Sequence, residues 1–430
     1  MRFKPLAALA FSGLLLAAPP VQASDVGTII REALTSGDLE GGSDQLAPYL
    51  ASEHPEAMFG TGLIWFVSAV EELSQALYRH GFETPATGPL GPEFQMPVPR
   101  NPDPEPVDYD KVREILSTFV DRLDAAREIL EGAGAAGDYV VVLDPMTFRI
   151  DVNGDGTAET TETIGNIIGL SAGLARPGAR PDEPPSTSRR EAGEDDAGAA
   201  LPDTSIGFDR ADAIWLAGYS QVLAGQADFV LAHDFSGLVE TTFHRFFPRA
   251  GLPMQDYQRG GQLVLDPETD TAIADLIAFI HTLNWPVVEP DRLARVLVRG
   301  KSVLDLSRRN WDAILAETDD QRELVPSPSQ TSIVPDGVVT DEVVAAWRET
   351  LDVAERVLDG DLLVPHWRFA QGFDLNAYFE TATRTDIVML LTGYDAVPFL
   401  RDGPVASAES FAAANRVLGN DLLGYVFWFN

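Results

Sequence analysis

Apolar residues recur at three- and four-residue spacing along much of the chain, and this helical period constrains the fold more than any other feature. Leu63, Phe66, Val70, Leu73 and Leu77 share one helical face, with Gly81 placed to end that helix. Val112, Ile115, Phe119, Leu123, Ala126 and Leu130 repeat the pattern up to Gly132. Trp215, Tyr219, Val222 and Phe229 predict a third helix capped by Asp209. Ile273, Leu276, Ile280 and Leu283 give a fourth, stopped before Pro286. Leu293, Val296 and Val303 begin a fifth that runs towards Leu315. Thr340 caps a sixth, whose first turn holds Asp341 and Glu342, whose core face is Val344, Trp347, Leu351 and Leu358, and whose end is Gly360. Strand signals are sparse: residues 139–143 are expected to pair with 147–150 across Asp144-Pro145 as a small hairpin. The expected class is mostly α, a multi-helix bundle in two halves.

The chain begins with a segment that reads as an address. Arg2 and Lys4 precede an apolar stretch at 6–18, Pro19-Pro20 break it, and Val21-Gln22-Ala23 offers a small residue before Ser24. This is the pattern of a signal peptide over residues 1–23. Residues 176–204 are rich in proline, serine and acid and contain no aromatic residue, so they are expected to form a disordered linker. It separates an N-terminal helical region, 24–175, from a C-terminal helical domain, 205–430. The most apolar later stretch, 213–232, carries Gln221, Gln226 and Asp228 and reads as a core helix, not a membrane span. The expected product is exported, secreted or periplasmic, with no membrane anchor after cleavage. With 31 Lys+Arg against 66 Asp+Glu the net charge is −35, which opposes binding to nucleic acid or to anionic lipid. With no cysteine, disulfides and thiolate metal sites are excluded.

One segment carries chemistry. Residues 151–162 fit D-x-[DN]-x-[DN]-G-x5-E at every defined position. Ca²⁺ takes six to eight oxygens, and alternate residues of a tight loop aim Asp151, Asn153 and Asp155 at one point. Gly156 allows the sharp turn, Thr157 offers its carbonyl, Glu159 a direct or water-mediated oxygen, and Glu162 both carboxylate oxygens. This stretch resembles the calcium-binding loop of the EF-hand family, and the resemblance covers these twelve residues only. It implies a Ca²⁺ cofactor held by Asp151, Asn153, Asp155, Thr157, Glu159 and Glu162. The incoming segment reads as strand, so the hairpin would lead into a calcium loop, and a helix is expected after Thr163. Position eight is Ala158, where the family has a branched apolar residue that pairs two loops, and no second loop is found. The expected site is a lone, structural one.

Other motifs fail on context. Gly132, Gly134 and Gly137 match GxGxxG but follow a helix and precede a strand, so they read as a helix stop and turn. Gly300-Lys301-Ser302 lacks the first glycine of a phosphate loop. Gly169-Leu-Ser171-Ala-Gly173 lacks a helix after the serine. Two readings follow. The first is a calcium-binding protein with a binding or interaction role. The alternative is a metal-dependent hydrolase using Glu240 and His244, spaced to face the same way on one helix. Neither a catalytic residue nor a protein or small-molecule partner is named by the sequence. Terminal sequencing of exported material should begin at Ser24; a mature chain that still starts at Met1 would overturn the address.

Overall fold

The computed structural model describes residues 24–84, 98–135, 137–167, 204–256, 264–265, 267–318, 320, 322–331, 339–417 and 429. Residues 1–23, the expected signal peptide, and 176–203 of the expected linker lie outside the described residues, as does the Gly169–Gly173 motif. Thirteen α-helices are described: α1 (Asp25–Ser36), α2 (Leu39–Leu50), α3 (Pro55–Arg79), α4 (Tyr109–Ala135), α5 (Arg210–Leu231), α6 (Ser236–Thr242), α7 (Pro253–Asp256), α8 (Pro267–His281), α9 (Pro290–Ile314), α10 (Asp341–Leu358), α11 (Leu375–Thr381), α12 (Ile387–Thr392) and α13 (Ala412–Val417). The class is mostly α. No helix among the described residues is long and apolar enough to cross a membrane.

The caps read from sequence are in place. Asp209 and Asp212 form a reciprocal capping box at the start of α5. Thr340 accepts the Val343 N–H at the start of α10, and Gly360 beyond its end has φ +78°. Helix α4 packs against both α3 and α5, and α5 packs against α9. The core joins Leu34, Phe59 and Leu130 to Ile214, Trp311 and Trp347, so segments before and after 176–204 share it. Phe429 is fully buried edge-on to Trp311 and Trp347, and its carbonyl accepts from Ser307.

The expected helix stop at Gly132 is corrected: α4 continues to Ala135. The glycines there serve close packing. A Cβ on Gly132 would lie 2.4 Å from Met58 Cε, and one on Gly134 2.4 Å from Ile214 Cγ1. Helix α8 forms as expected, but Ile273, Ile277 and Ile280 are about half exposed. A helical period reports an apolar face without reporting what covers it.

The expected hairpin is also corrected. Strand β1 (Val141–Leu143) pairs antiparallel with β2 (Ile206–Phe208), from beyond the 176–204 segment, and not with 147–150. Asp144 and Pro145 start a 3₁₀ turn, Pro145–Thr147, in which the Asp144 carboxylate accepts the Met146 N–H. That turn lifts the following residues off the edge of β1. Their backbone goes elsewhere: Arg149 N–H to Leu34 O of α1, Ile150 N–H to Glu162 O. Two further two-stranded pairs, β3 (Asn284–Pro286) with β5 (Arg384–Asp386) and β4 (Gly372–Phe373) with β6 (Leu400–Arg401), bind the C-terminal helices.

Charge lies within the helical interface. Asp228 of α5 is fully buried and takes bonds from Arg292 Nη1 (2.6 Å) and Arg299 Nε (2.8 Å), both on α9. Arg299 also grips Asp124 of α4 through both terminal nitrogens, at 2.6 and 2.7 Å, and Gln221 at 2.8 Å. Arg292 continues to Glu289, and Glu289 to Arg113 of α4. Removing one member strands the others in low dielectric. Asp228→Ala should therefore lose about 3–5 kcal/mol in urea unfolding, whereas breaking a surface pair should cost about 0–1 kcal/mol. The surface control is Glu72→Ala, whose partner Arg122 is largely exposed. Equal losses would contradict this placement of the network.

Candidate functional site: an acidic loop clamped to a helix

The twelve-residue loop is closed at its base by antiparallel backbone pairing. Ile150 N–H donates to Glu162 O (3.1 Å), Ile164 N–H to Phe148 O (2.9 Å), and Arg149 bridges Thr163. A helical turn follows at 164–167. The first and twelfth positions thus come together although no helix enters the loop.

Inside, side-chain oxygens accept backbone N–H groups. Asp151 Oδ1 accepts from Gly154 (2.7 Å) and Asp155 (3.2 Å), and its Oδ2 from Gly156 (2.8 Å). Asn153 Oδ1 accepts from Asp155 at 2.8 Å, and Asp155 Oδ1 from Thr157 at 2.9 Å. Glu162 Oε2 accepts from Glu159 at 2.9 Å. The chain reverses through Gly154 at φ +72° and Gly156 at φ +87°, left-handed conformations that favour glycine. Asp151 and Val152 are buried, whereas Asp155, Gly156 and Thr157 are exposed.

Position eight has a structural explanation. Gly37 follows α1 in a left-handed conformation, φ +81°, and a Cβ there would lie 2.2 Å from the Ala158 methyl. The loop backs onto the end of α1 through two small residues, where a paired loop would use a branched apolar side chain.

Two residues that the sequence did not point to hold the loop from behind. Glu71 Oε2 accepts the Asp151 N–H at 2.7 Å, and Gln75 Nε2 donates to the Asp151 carbonyl at 2.8 Å. They lie one turn apart on α3. Burial pushes the Glu71 carboxyl up to about 7; the Asp151 N–H bond opposes this, and the charges of Asp151, Glu72 and Glu162 add to it. In sequence Glu71 and Gln75 are an i,i+4 polar pair on a helix, and nothing there names the loop they meet.

The oxygen donors match a hard cation in type and order, and the two left-handed glycines supply the curvature. Among the described residues no group of three or more histidine or acidic side chains is gathered as a metal-holding cluster. The loop carries the donor types, their order and the backbone shape of a calcium loop, without its acidic side chains being gathered on one point.

The residues of the alternative metal reading, and two further histidines, sit in local contacts. Glu240 is exposed on α6, which ends at Thr242; His244 lies in the following 3₁₀ turn, its Nε2 3.1 Å from Asp275. The helix that would face the two together is interrupted. His233 is fully buried, with Nδ1 2.6 Å from Phe229 O and Nε2 2.6 Å from Thr385 Oγ1. Burial lowers its pKa, consistent with a neutral ring. His366 Nε2 meets Leu390 O at 3.0 Å. Gly300-Lys301-Ser302 lies inside α9. No family model, curated protein or solved structure matches the chain.

A second acidic group lies at the start of α5. Burial and then the Asp209 charge push Glu317 up to about 9, against a 3.0 Å bond from Gln330. Burial likewise raises Asp212 well above the carboxylate range. The folded state then binds a proton that the unfolded state releases near the ordinary glutamate value, so stability falls as pH rises through that window to about 9. Melting temperature should drop across this range, and Glu317→Gln should flatten the slope. Equal slopes in both chains would contradict the assignment.

Proposed function

We propose that this chain is an exported calcium-binding protein with one structural ion site in residues 151–162, and that its role is binding or interaction. The observation that carries the reading is the closed loop itself. Six oxygen donors stand in calcium-loop order across a backbone turned by Gly154 and Gly156, with its ends joined through Ile150 and Glu162. Asp151, Asn153, Asp155, the Thr157 carbonyl, Glu159 and Glu162 would hold the ion. Bound Ca²⁺ would supply the positive charge that four like-charged carboxylates, Asp151, Asp155, Glu159 and Glu162, lack among themselves.

The chain's own residues do the rest. Asp151 ties the turn through three N–H groups, which presets the loop before any ion arrives. Backbone pairing through Ile150 and Ile164 brings Glu162 back to the entrance. Exposure of Asp155 and Thr157 leaves a route from solvent. Lone loops of extracellular proteins bind with Kd about 10⁻⁴–10⁻³ M, matched to a calcium-rich compartment.

Binding to the native state alone should add about 1.4 kcal/mol at ten times Kd, a rise of about 2 °C in Tm. Calorimetry should show Ca²⁺ uptake, weaker with Glu162→Gln, and Mg²⁺ should substitute poorly because it demands octahedral geometry. Identical melting in chelator and in millimolar Ca²⁺, with no binding heat, would reduce the loop to an acidic turn.

A further inference from the structure

Asp151 is buried, so its backbone N–H and C=O must both find partners. In a loop entered by a helix, the first N–H would go to the carbonyl four residues earlier. Here the preceding residues are a 3₁₀ turn and an extended segment, so that partner does not exist. Helix α3 supplies it from the side. Glu71 takes the N–H and Gln75 the C=O of the same residue, at 2.7 and 2.8 Å. Gln75 also packs on the loop, since a Cβ on Gly154 would lie 3.7 Å from its Cγ.

We propose that Glu71 and Gln75 are positioning residues for calcium: together they replace the missing entering helix and fix the first ligand of the loop. This rests on the calcium reading above. Asp151 sets the turn through Gly154, Asp155 and Gly156, so movement of its backbone moves the turn that carries Asp155. The clamp also fastens the site to α3, which packs against α4 and so joins the loop to the bundle.

The test is calorimetric titration of the mature chain with CaCl₂, in wild type, Gln75→Leu, Glu71→Leu and Glu71→Gln, with melting in chelator recorded for each. Loss of either clamp residue should weaken Ca²⁺ binding about tenfold or more, the range seen when groups that orient metal ligands are removed. Glu71→Gln keeps an acceptor oxygen and should stay within about threefold of wild type. A general loss of packing would lower the melting temperature of all three variants in chelator without this rescue. Folded Leu variants that bind with wild-type Kd would overturn the clamp and leave the calcium reading standing. A wild-type chain that takes up no Ca²⁺ would overturn both. Should the Leu variants not fold, hydrogen exchange on wild type decides: the Asp151 amide should exchange far more slowly than the exposed Thr160 amide, and equal rates would contradict the clamp.

Discussion

Asp228 sits in the last turn of α5 with no exposed surface, and the packing of α4, α5 and α9 depends on how its charge is answered. A carboxylate in that position needs cations that reach it without water. Arg292 and Arg299 lie two turns apart on α9 and approach its two oxygens separately. Each then reaches α4, Arg299 through Asp124 and Arg292 through Ser117. The register of three helices is thereby tied to one buried anion. Apolar contacts around Leu123, Ala224 and Leu231 could tolerate small shifts along the helix axes; the bidentate bond to Asp124 could not.

The acidic loop depends on the same bundle by a different route. Its base is paired to itself, its eighth residue backs onto the end of α1, and its first residue is held by α3. A short segment with so few apolar side chains could not hold this shape alone against its own chain entropy. Ile150 and Val152, on either side of Asp151, are buried in the main core and anchor the loop from within. The bundle supplies the rigidity; the loop supplies the oxygens.

Much of this was readable from the chain, and the exceptions share a cause. Helices α3, α9 and α10 follow the apolar period because burial of one face decides them, whereas α5 forms where expected but is buried around most of its circumference, its predicted face of Trp215, Tyr219, Val222 and Phe229 being only half-buried. Asp209, Thr340 and Gly360 were legible as caps because capping is local. The partner of β1 was not: strand pairing is a long-range choice, and the turn at Asp144-Pro145 that looked like a hairpin is a 3₁₀ cap. Helices α1 and α2 are not legible in the sequence, each being twelve residues long and glycine- or proline-bearing. Gly132 and Gly134 looked like a stop, because nothing local shows Met58 and Ile214 pressed against them. For the site, the order of the donors was legible and their support was not. Glu71 and Gln75 contact the loop across some eighty residues of sequence, and the Arg–Asp network spans a still longer separation.

The calcium loop is a site only if residues 151–162 take up one ion in the folded chain. Equilibrium dialysis of the mature protein against millimolar CaCl₂, followed by elemental analysis, measures this directly. An Asp155→Ala chain run in parallel subtracts calcium held by the diffuse acidic surface. The prediction is one equivalent more calcium in wild type than in the variant, lost on dialysis against chelator. Equal calcium in the two chains would contradict it.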